Sequence, residues 1–480
     1  MKRFFWLCIA IQTSLLAVYG FTNPILPYDY SDPDVIRFGK TYYMTYSTFA
    51  CTPGLQILQS DNGVQWKVVD AVLPDTIPGY GHLDACPAGC GVWAPSLRFN
   101  QGRFYIYYGD PDIGIYCIRS EKTETIPCRW ESAVLVKRGK GLIDPCPLWD
   151  TDGRCYLVHA FAGSRAGFKS ALAVCELAAD GLSVIKDDEL IFDGHPDHPT
   201  CEGPKFYKRN SYYYIFCPAG GVKSGWQLCL RAKSPYGPYE CQRVLEQGTT
   251  SVNGPHQGAW VDNYFWHFQD VGAAGRIVHL QPLTWRKGWP VIGDDGQPVK
   301  EVKGIADVPF VMTNELTDWQ WSGNRRAQYI FGQPDAKSFR LFTYPSEEVQ
   351  TAPNLLLHKI PAATGFTFEA RLRFTPNHRN SDHEQAGIIV HGRLSRLLPI
   401  PGDGQWYYAR VVVSDTQLCR FYLSRDGRSW ELQGEPFQAV AGEWIGAKIG
   451  FYATRDHHPI NDSGYLDVEG VSFGNVTRHP

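Results

Sequence analysis

Apolar and polar positions alternate in short runs along the first 300 residues, and one pattern occurs five times. In each copy an apolar stretch is followed by a Gly or Asn-type turn and then by an aromatic-rich stretch, which predicts a β-hairpin. The copies span Val35–Tyr46, Leu97–Tyr108, Leu148–His159, Lys205–Phe216 and Ala259–Phe268. They lie roughly 50 to 60 residues apart, the size of one four-stranded propeller blade. This even spacing favours a five-bladed β-propeller over residues 21–300, with a β-sandwich of similar hairpins as the alternative.

A second domain is indicated where the pattern changes after Gly293. Residues 294–316 are polar, and we assign 301–316 to a linker. From Trp319 onward, apolar and polar positions alternate in runs of about 5 to 9 residues, the length of ordinary strands. Phe366–Phe374 and Trp406–Val413 are two such runs. We therefore predict that residues 317–480 form a two-sheet β-sandwich, and that the whole chain is all-β.

The composition agrees with a turn-rich β protein of two domains. The chain has 480 residues, 47 Gly, 33 Pro and 14% aromatic residues, and this length exceeds one ordinary core. Its net charge of −3, without a basic stripe, argues against a nucleic-acid partner. The sequence does not indicate an oligomeric state.

Residues 1–20 predict a secretory signal peptide, because two basic residues precede an apolar stretch that runs to Val18 and the segment ends at Gly20. A membrane anchor is the alternative, but the apolar run is short for a span. We therefore expect an exported protein, periplasmic or secreted, with no membrane span once the signal is cleaved. Among its 14 cysteines, those after the signal are expected to be mostly buried free thiols, with Cys86–Cys90 and Cys201–Cys217 as candidate bridges.

Three carboxylates stand at similar places in the repeated pattern. Asp32, Asp144 and Glu202 each precede an apolar strand and are each followed within two residues by Pro. In a propeller the innermost strand of every blade starts near the axis, so we expect these side chains to converge on one axial cavity. The alternative for each acid alone is a turn cap. Asp34 is a rival for Asp32, because in a strand two residues apart point the same way.

Converging carboxylates are what glycoside hydrolysis requires. One acid, kept protonated, donates a proton to the leaving oxygen, while an ionised one activates a water or attacks carbon. A third carboxylate nearby would raise the pKa of the acid by like-charge repulsion. The sequence therefore predicts a sugar-cleaving site at the axis of the propeller.

Several motifs resemble those of glycoside hydrolase family 43 in order and spacing, over roughly residues 23–293. Three contain the acids, and the others include Trp93, His256 and Arg276. The motifs are Asn23-Pro24-Ile25-Leu26, Tyr30-Ser31-Asp32-Pro33, Val92-Trp93-Ala94-Pro95, Ile143-Asp144-Pro145, Glu202-Gly203-Pro204, Gly254-Pro255-His256-Gln257-Gly258 and Gly275-Arg276. The second domain is similar, more weakly, to the jelly-roll, concanavalin-like sandwich of the β-xylosidase-like members of that family.

The resemblance implies a five-bladed propeller and hydrolysis with inversion. Asp32 then matches the general base, Glu202 the general acid, and Asp144 the residue that orients the acid and modulates its pKa. Arg276 matches an arginine that contacts substrate, with a structural ion pair as the alternative. His256 matches an axial histidine that in many members helps to hold a hydrated calcium ion, with a buried, hydrogen-bonded histidine as the alternative. No cofactor is required for the chemistry.

Further pocket residues are expected on loops between the inner strands. Trp93 is expected to form an aromatic wall against the sugar, with packing between blades as the alternative. Phe49, His82 and Phe161 are further candidates to line the pocket, as are Asp84 and Arg165.

The residues and the resemblance together predict an exo-acting, inverting glycosidase. It would release a terminal pentose, α-L-arabinofuranose or β-D-xylose, from plant polysaccharide side chains or oligosaccharides, with the segment from Thr48 to Cys90 closing the pocket. Arabinofuranose is the preferred sugar. The alternatives are a carbohydrate-binding propeller without turnover and a retaining, fructosidase-like hydrolase. The retaining class needs carboxylates ~5 Å apart, and inversion needs ~6.5–9.5 Å.

Overall fold

The computed structural model describes residues 20–87, 89–305, 312–362, 364–379, 381–457 and 461–475. The predicted signal peptide, except for Gly20, lies outside these residues. In the described residues there is one short α-helix, α1 (Gly163–Ala166), and almost all other regular structure is β-strand. No described helix has the length and apolar character that a membrane crossing requires. The prediction of an all-β chain is therefore confirmed.

Five four-stranded antiparallel sheets follow one another along the chain, and within each sheet the strands pair in sequence order. The first strands of successive blades contact one another, which places them around the axis. Strand β1 (Gly20–Thr22) precedes the blades. The blades are β2 (Asp34–Phe38), β3 (Thr41–Thr45), β4 (Gly54–Ser60) and β5 (Lys67–Leu73); β6 (Trp93–Asn100), β7 (Arg103–Asp110), β8 (Gly114–Arg119) and β9 (Val134–Arg138); β10 (Leu142–Trp149), β11 (Cys155–Phe161), β12 (Ala171–Leu177) and β13 (Val184–Asp193); β14 (Lys205–Arg209), β15 (Tyr212–Ala219), β16 (Trp226–Ala232) and β17 (Glu240–Glu246); and β18 (His256–Val261), β19 (Tyr264–Asp270), β20 (Arg276–Arg286) and β21 (Trp289–Ile292).

The five predicted hairpins are the first two strands of the five blades. Their turns contain residues with left-handed backbone, such as Gly39 (φ 61°) and Asn210 (φ 48°), the residue types that accept positive φ most readily. Strand β1 pairs with β22 (Glu301–Lys303), so the first residues assigned to the linker belong to a strand instead. The Asn23 amide then donates to Leu280 O at 2.9 Å, which fastens the start of the propeller to its last blade.

The second domain is a sandwich of two sheets. The six-stranded sheet has the order β23-β27-β35-β29-β30 with β26 on β35, and the eight-stranded sheet has the order β24-β25-β36-β28-β31-β32-β33 with β34 on β32. In β28 every second residue is buried, as expected for a sheet with one face on a core. The strands are β23 (Trp319–Trp321), β24 (Ile330–Phe331), β25 (Ser338–Phe342), β26 (Tyr344–Pro345), β27 (Leu356–Lys359), β28 (Phe366–Thr375), β29 (Glu384–His391), β30 (Arg396–Pro399), β31 (Tyr407–Val413), β32 (Leu418–Ser424), β33 (Glu431–Leu432), β34 (Phe437–Gln438), β35 (Lys448–Arg455) and β36 (Tyr465–Asn475). Short 3-10 helices lie at Gly272–Ala274, Leu316–Asp318, Ala327–Tyr329, Val349–Thr351 and Ser381–His383.

The two domains share a polar, buried interface. Thr52 and Trp321 form a β-bridge across it. The Lys359 ammonium donates to the Tyr46 hydroxyl at 2.9 Å, and the Gln56 amide donates to Thr317 O at 3.0 Å. Buried hydrogen bonds of this kind require defined geometry at both partners, so the sandwich has one orientation on the propeller.

All thirteen cysteines of the described residues are free thiols, and eleven of them are buried. The prediction of mostly buried free thiols is confirmed. The candidate bridges are not formed: the Sγ atoms of Cys201 and Cys217 lie 3.7 Å apart, in contact but not bonded.

Candidate active site

The predicted acids Asp32, Asp144 and Glu202 line one cavity of about 290 Å³ at the axis of the propeller. Other lining residues include the predicted residues Phe49, Trp93, His256 and Arg276, together with Trp444 of the second domain.

Asp32 and Asp144 share a left-handed backbone conformation that recurs at the start of the inner strands. Asp32 (φ 56°) and Asp144 (φ 57°) have left-handed backbone and precede a proline, and Ala94 (φ 37°) does the same in the second blade. The pairing of β6 with β7 and of β10 with β11 shifts register across this position. Proline has no N–H to leave unpaired in such a shift. Positive φ is costly for a residue with a Cβ, and such strain is common at functional sites.

Glu202 does not occupy the same position as the two aspartates. In its blade the left-handed residue before proline is Gly203 (φ 58°), so the glutamate lies one residue earlier. Trp93 and His256 likewise lie one residue before Ala94 and the left-handed Gln257 (φ 24°). The expectation that the three acids share one position in the repeat therefore holds for Asp32 and Asp144 and is wrong for Glu202. The longer Glu side chain reaches the same cavity from the preceding residue.

Asp32 is held in a form suited to accept a proton. It is 5% exposed. The Ser47 hydroxyl donates to its Oδ2 at 2.5 Å, and Nη1 of Arg276 donates to its Oδ1 at 3.4 Å. Donors at both oxygens fix the orientation of the carboxylate. Arg276 thus contacts Asp32 and also lines the cavity.

Asp144 has a strongly raised pKa. Burial, and next the negative charges of Glu202 and Asp32, raise the pKa of Asp144 well above its ordinary value. The backbone N–H of Gly203 donates to its Oδ2 at 2.7 Å, which opposes this shift. Because burial disfavours a charge and like charges at close range resist ionising together, Asp144 holds its proton to a higher pH than an isolated carboxyl would. The raised pKa is found at Asp144, whereas the sequence argument expected a raised pKa at the acid that donates the proton.

Glu202 is the most accessible of the three acids, with 26% of its side chain exposed. Its Oε1 lies 3.0 Å from Nε2 of His256, whose ring is buried. The tautomer of the imidazole decides which of the two groups donates. An exposed carboxyl fixed at one oxygen is suited to transfer a proton to a group that enters the cavity.

His256 is directed at Glu202 in this structure. In the part of the chain that the structure describes, no group of three or more His, Cys, Asp or Glu side chains is placed to hold a metal ion. Calcium takes 6–8 oxygen ligands, and the contacts of His256 do not supply such a set.

Asp34, the rival base, is fully buried and engaged elsewhere. It pairs with Nη1 of Arg98 at 2.7 Å and with Nζ of Lys205 at 3.6 Å, and it accepts from Leu97 N at 2.7 Å. The left-handed backbone at Asp32 breaks the strand alternation, so the two aspartates do not face the same way.

Aromatic side chains from both domains form one side of the cavity. The Trp93 ring lies edge to face against Phe49 at 6.1 Å and against Trp444 at 6.2 Å. Trp444 has left-handed backbone (φ 64°) and is 47% exposed. It belongs to residues 440–447, which we call the sandwich loop. No motif marked this residue in the sequence, although a lone Trp between Gly442 and Gly446 was a weak signal.

Two predicted pocket residues, His82 and Phe161, lie elsewhere. His82 is exposed on the loop between the first and second blades. Phe161 ends β11 and packs against Phe168 at 4.6 Å. Of the further candidates, Asp84 accepts from the Tyr344 hydroxyl at the domain interface, and Arg165 stacks on the Trp93 ring at 6.0 Å without lining the cavity. Loop position along the chain did not show which side chains turn inward.

Comparison with protein families gives two matches. The family model described as glycosyl hydrolases family 43 matches residues 21–290. The model described as the beta xylosidase C-terminal concanavalin A-like domain matches residues 312–400. The two matched segments correspond to the propeller and to the first part of the sandwich.

Relatives with similar sequences cover most of the chain. A Xylanibacter ruminicola protein whose name is that of a beta-xylosidase is 34% identical over 465 residues, covering 88% of this chain and 85% of that protein. A non-reducing end alpha-L-arabinofuranosidase of Bacteroides ovatus is 28% identical, covering 78% of this chain and 74% of that enzyme.

Solved structures share the fold of both domains. A GH43 protein from Bacillus licheniformis superposes with a TM-score of 0.79 at 20% identity, covering 95% of this chain and 100% of that one. A xylan beta-1,4-xylosidase from Bacillus halodurans superposes with a TM-score of 0.78 at 20% identity, with the same coverage. These likenesses confirm the prediction of a five-bladed propeller followed by a concanavalin-like sandwich.

Proposed function

The chain belongs to glycosyl hydrolases family 43, and from this premise we propose that it is an exo-acting, inverting glycosidase. Its proposed product is a terminal pentose, α-L-arabinofuranose or β-D-xylose, from plant polysaccharide side chains or oligosaccharides. The observation that carries the proposal is the convergence of Asp32, Asp144 and Glu202, in three unlike environments, on one small cavity. A propeller that only bound sugar would need no such arrangement of acids.

The three environments suggest one role for each acid. Asp32, with donors at both oxygens, accepts a proton from a water molecule as that water attacks the anomeric carbon. Glu202 gives its proton to the glycosidic oxygen as the carbon–oxygen bond breaks. The product sugar then has the inverted configuration, and a proton has moved from water to Asp32. Asp144, whose pKa is raised by burial and by the charges of Glu202 and Asp32, stands beside the two reacting acids and is proposed to orient Glu202.

The shape of the cavity supports release of single terminal sugars. Trp93 and Phe49 bound it on the propeller side, and Trp444 bounds it from the sandwich loop. A site closed on one side by aromatic rings accepts a chain end more readily than the middle of a polymer. Indole faces also stack on the C–H faces of sugar rings.

The choice of a pentose is supported by the names of the relatives. Both sequence relatives described above are named for the release of xylose or arabinofuranose. The two pentoses expose similar hydroxyl patterns when superposed, so both are retained as proposed substrates.

A release assay tests the proposal. The 4-nitrophenyl glycosides of α-L-arabinofuranose, β-D-xylopyranose and β-D-galactopyranose are incubated with the protein, and proton NMR follows the first product. We expect release of one or both pentoses with inverted anomeric configuration. Release of no pentose, or a first product of unchanged configuration, would overturn the assignment.

Substitution of the acid gives a second test. Glu202→Gln is expected to lower kcat/KM on oligosaccharides by about 10²–10⁴-fold, and by less on 4-nitrophenyl glycosides, whose leaving group needs little protonation. Glu240→Gln, on the exposed outer strand of the same blade, is the matched control and is expected to retain activity. Equal losses on both substrate types would contradict the role of Glu202 as proton donor.

Two accompanying proposals concern location and calcium. The signal-like residues 1–20 support export to the periplasm or the medium, which cell fractionation with an antibody would test. The calcium ion predicted near His256 stays a prediction, and its test is the metal content of the purified protein before and after chelation.

A further inference from the structure

The sandwich loop is docked on the 3-10 helix Gly272–Ala274, which precedes strand β20 and its first residue, Arg276. The backbone N–H of Ala447 donates to Ala273 O at 2.7 Å. One residue earlier, the N–H of Gly446 donates to Oδ2 of Asp29 at 2.8 Å. Trp444, which closes the cavity, is therefore only two residues from a hydrogen bond that crosses the domain interface.

The Asp29 carboxylate joins three separate segments of the chain. It is 5% exposed. Its Oδ2 accepts from Gly446 in the sandwich loop, while its Oδ1 accepts from the backbone N–H of Arg276 at 2.9 Å and from the Ser31 hydroxyl at 3.0 Å. Ser31 immediately precedes Asp32. All three donors thus lie within two residues of a side chain that lines the cavity.

The fit around this carboxylate depends on two glycines. A Cβ at Gly275 (φ 78°) would lie 2.6 Å from Cγ of Asp29, closer than atoms approach without bonding. A Cβ at Gly446 would lie 3.0 Å from the carbonyl carbon of Ala274. The glycines let three backbone segments approach one carboxylate.

We propose that Asp29 is a positioning residue that sets the aromatic wall and the Arg276–Asp32 pair as one unit. Asp29 accepts one hydrogen bond from Gly446, two residues after Trp444, and another from the backbone N–H of Arg276, so a shift at one of these segments is passed to the other. The proposal rests on the proposed function, in which Trp444 and Arg276 act on the same substrate. A buried carboxylate that accepts three hydrogen bonds constrains the position of all three donors.

Enzyme kinetics give the first test, with the 4-nitrophenyl pentoside as substrate. Asp29→Asn keeps the size of the side chain but removes the charge and presents an amide N–H₂ to one of the three donors. We expect kcat/KM to fall by about 10–100-fold, the effect of losing a hydrogen bond to a charged group. Trp444→Ala should then add little in the Asp29→Asn background. Multiplicative losses in the double variant would overturn the coupling.

Hydrogen–deuterium exchange gives a test that needs no substrate, so failure of the coupling and failure of the proposed function are distinguishable. In Asp29→Asn we expect residues 440–447 and 272–276 to exchange faster together. Faster exchange in one segment only, or in neither, would overturn the proposal. If Asp29→Asn does not fold, Gly446→Ala, which displaces the loop, serves the same comparison and is expected to raise exchange in both segments.

The matched control is Tyr344→Phe. It removes another hydrogen bond of the domain interface, to Asp84 at 2.9 Å, away from the cavity. We expect kcat/KM within about twofold of the parent and unchanged exchange in both segments, since exposed interactions contribute little. If this variant reproduced the effects of Asp29→Asn, domain docking in general, and not Asp29, would position the site.

Discussion

Ser47 links Asp32, the proposed general base, to the neighbouring blade, and its removal tests how this carboxylate is held. The hydroxyl donates to Oδ2 of Asp32 at 2.5 Å and accepts from the backbone N–H of Ala94 at 2.7 Å. Ser47 is 3% exposed, so water does not readily replace it. We predict that Ser47→Ala impairs catalysis while the chain remains folded.

The expected size of the effect follows from the contacts that are lost. A hydrogen bond to a charged group contributes about 1.5–3 kcal/mol, and an unpaired buried N–H, here that of Ala94, costs about 1–3 kcal/mol more in stability. After the substitution, Asp32 retains only the longer contact with Arg276 at 3.4 Å. If the hydrogen bond from Ser47 to Asp32 is lost in the transition state, kcat/KM falls by about 10–100-fold.

The assay is the rate of 4-nitrophenol release at several substrate concentrations, with thermal unfolding measured in parallel. Ser47→Thr keeps the hydroxyl and is expected to retain kcat/KM within about threefold of the parent. A folded Ser47→Ala variant within about twofold of the parent would refute the role given to the hydroxyl. Equal losses in the Thr and Ala variants would show that the size of the side chain, not its hydrogen bond, is what matters.

Two further predictions concern stability. Lys205→Met, which leaves the buried Asp34 with one cation fewer, is expected to lower the free energy of unfolding by about 3–5 kcal/mol, whereas the exposed Lys208→Met should cost less than about 1 kcal/mol. Thermal unfolding checks both variants, and equal unfolding midpoints for Lys205→Met and Lys208→Met would contradict the role given to Lys205. Burial lowers the pKa of His267 to about 4, so the unfolded chain takes up a proton at a higher pH than the folded one. Stability from this residue is complete above about pH 6.5 and is lost as the pH falls towards 4, by about 2 kcal/mol at pH 5. His267→Gln should flatten this dependence, and an unchanged slope between pH 7.5 and 5 would contradict the assignment.

Much of the fold was predictable because strands and tight turns are local features. The hairpin Val35–Tyr46 and its four counterparts were visible as apolar runs interrupted by turn residues, and all are present as paired strands. The acids Asp32, Asp144 and Glu202 were visible because each begins an inner strand beside a proline. When the blades of a propeller close around one axis, residues at the starts of the inner strands lie close together.

Other parts of the site could not be read from local patterns. Gly446 and Asp29 are 417 residues apart in the chain yet share a hydrogen bond. Trp444 lies in a loop whose local sequence indicates only a turn. His82 resembled a pocket residue because of its loop, but the orientation of a loop side chain depends on contacts with other segments. Asp34 and Asp32 were not separable by strand alternation, since the left-handed backbone at Asp32 was not apparent from the sequence.

The sequence by itself determined the succession of strands and turns, the class of fold and the three acidic residues that are proposed to carry the chemistry. These depend on side-chain periodicity and turn preference, which act over a few residues. Only the tertiary structure decided which aspartate faces the cavity, which acid bears the largest pKa shift, and that a tryptophan of the sandwich closes the propeller. Burial, charge and contact are properties of segments brought together in space, so a single chain segment does not encode them alone.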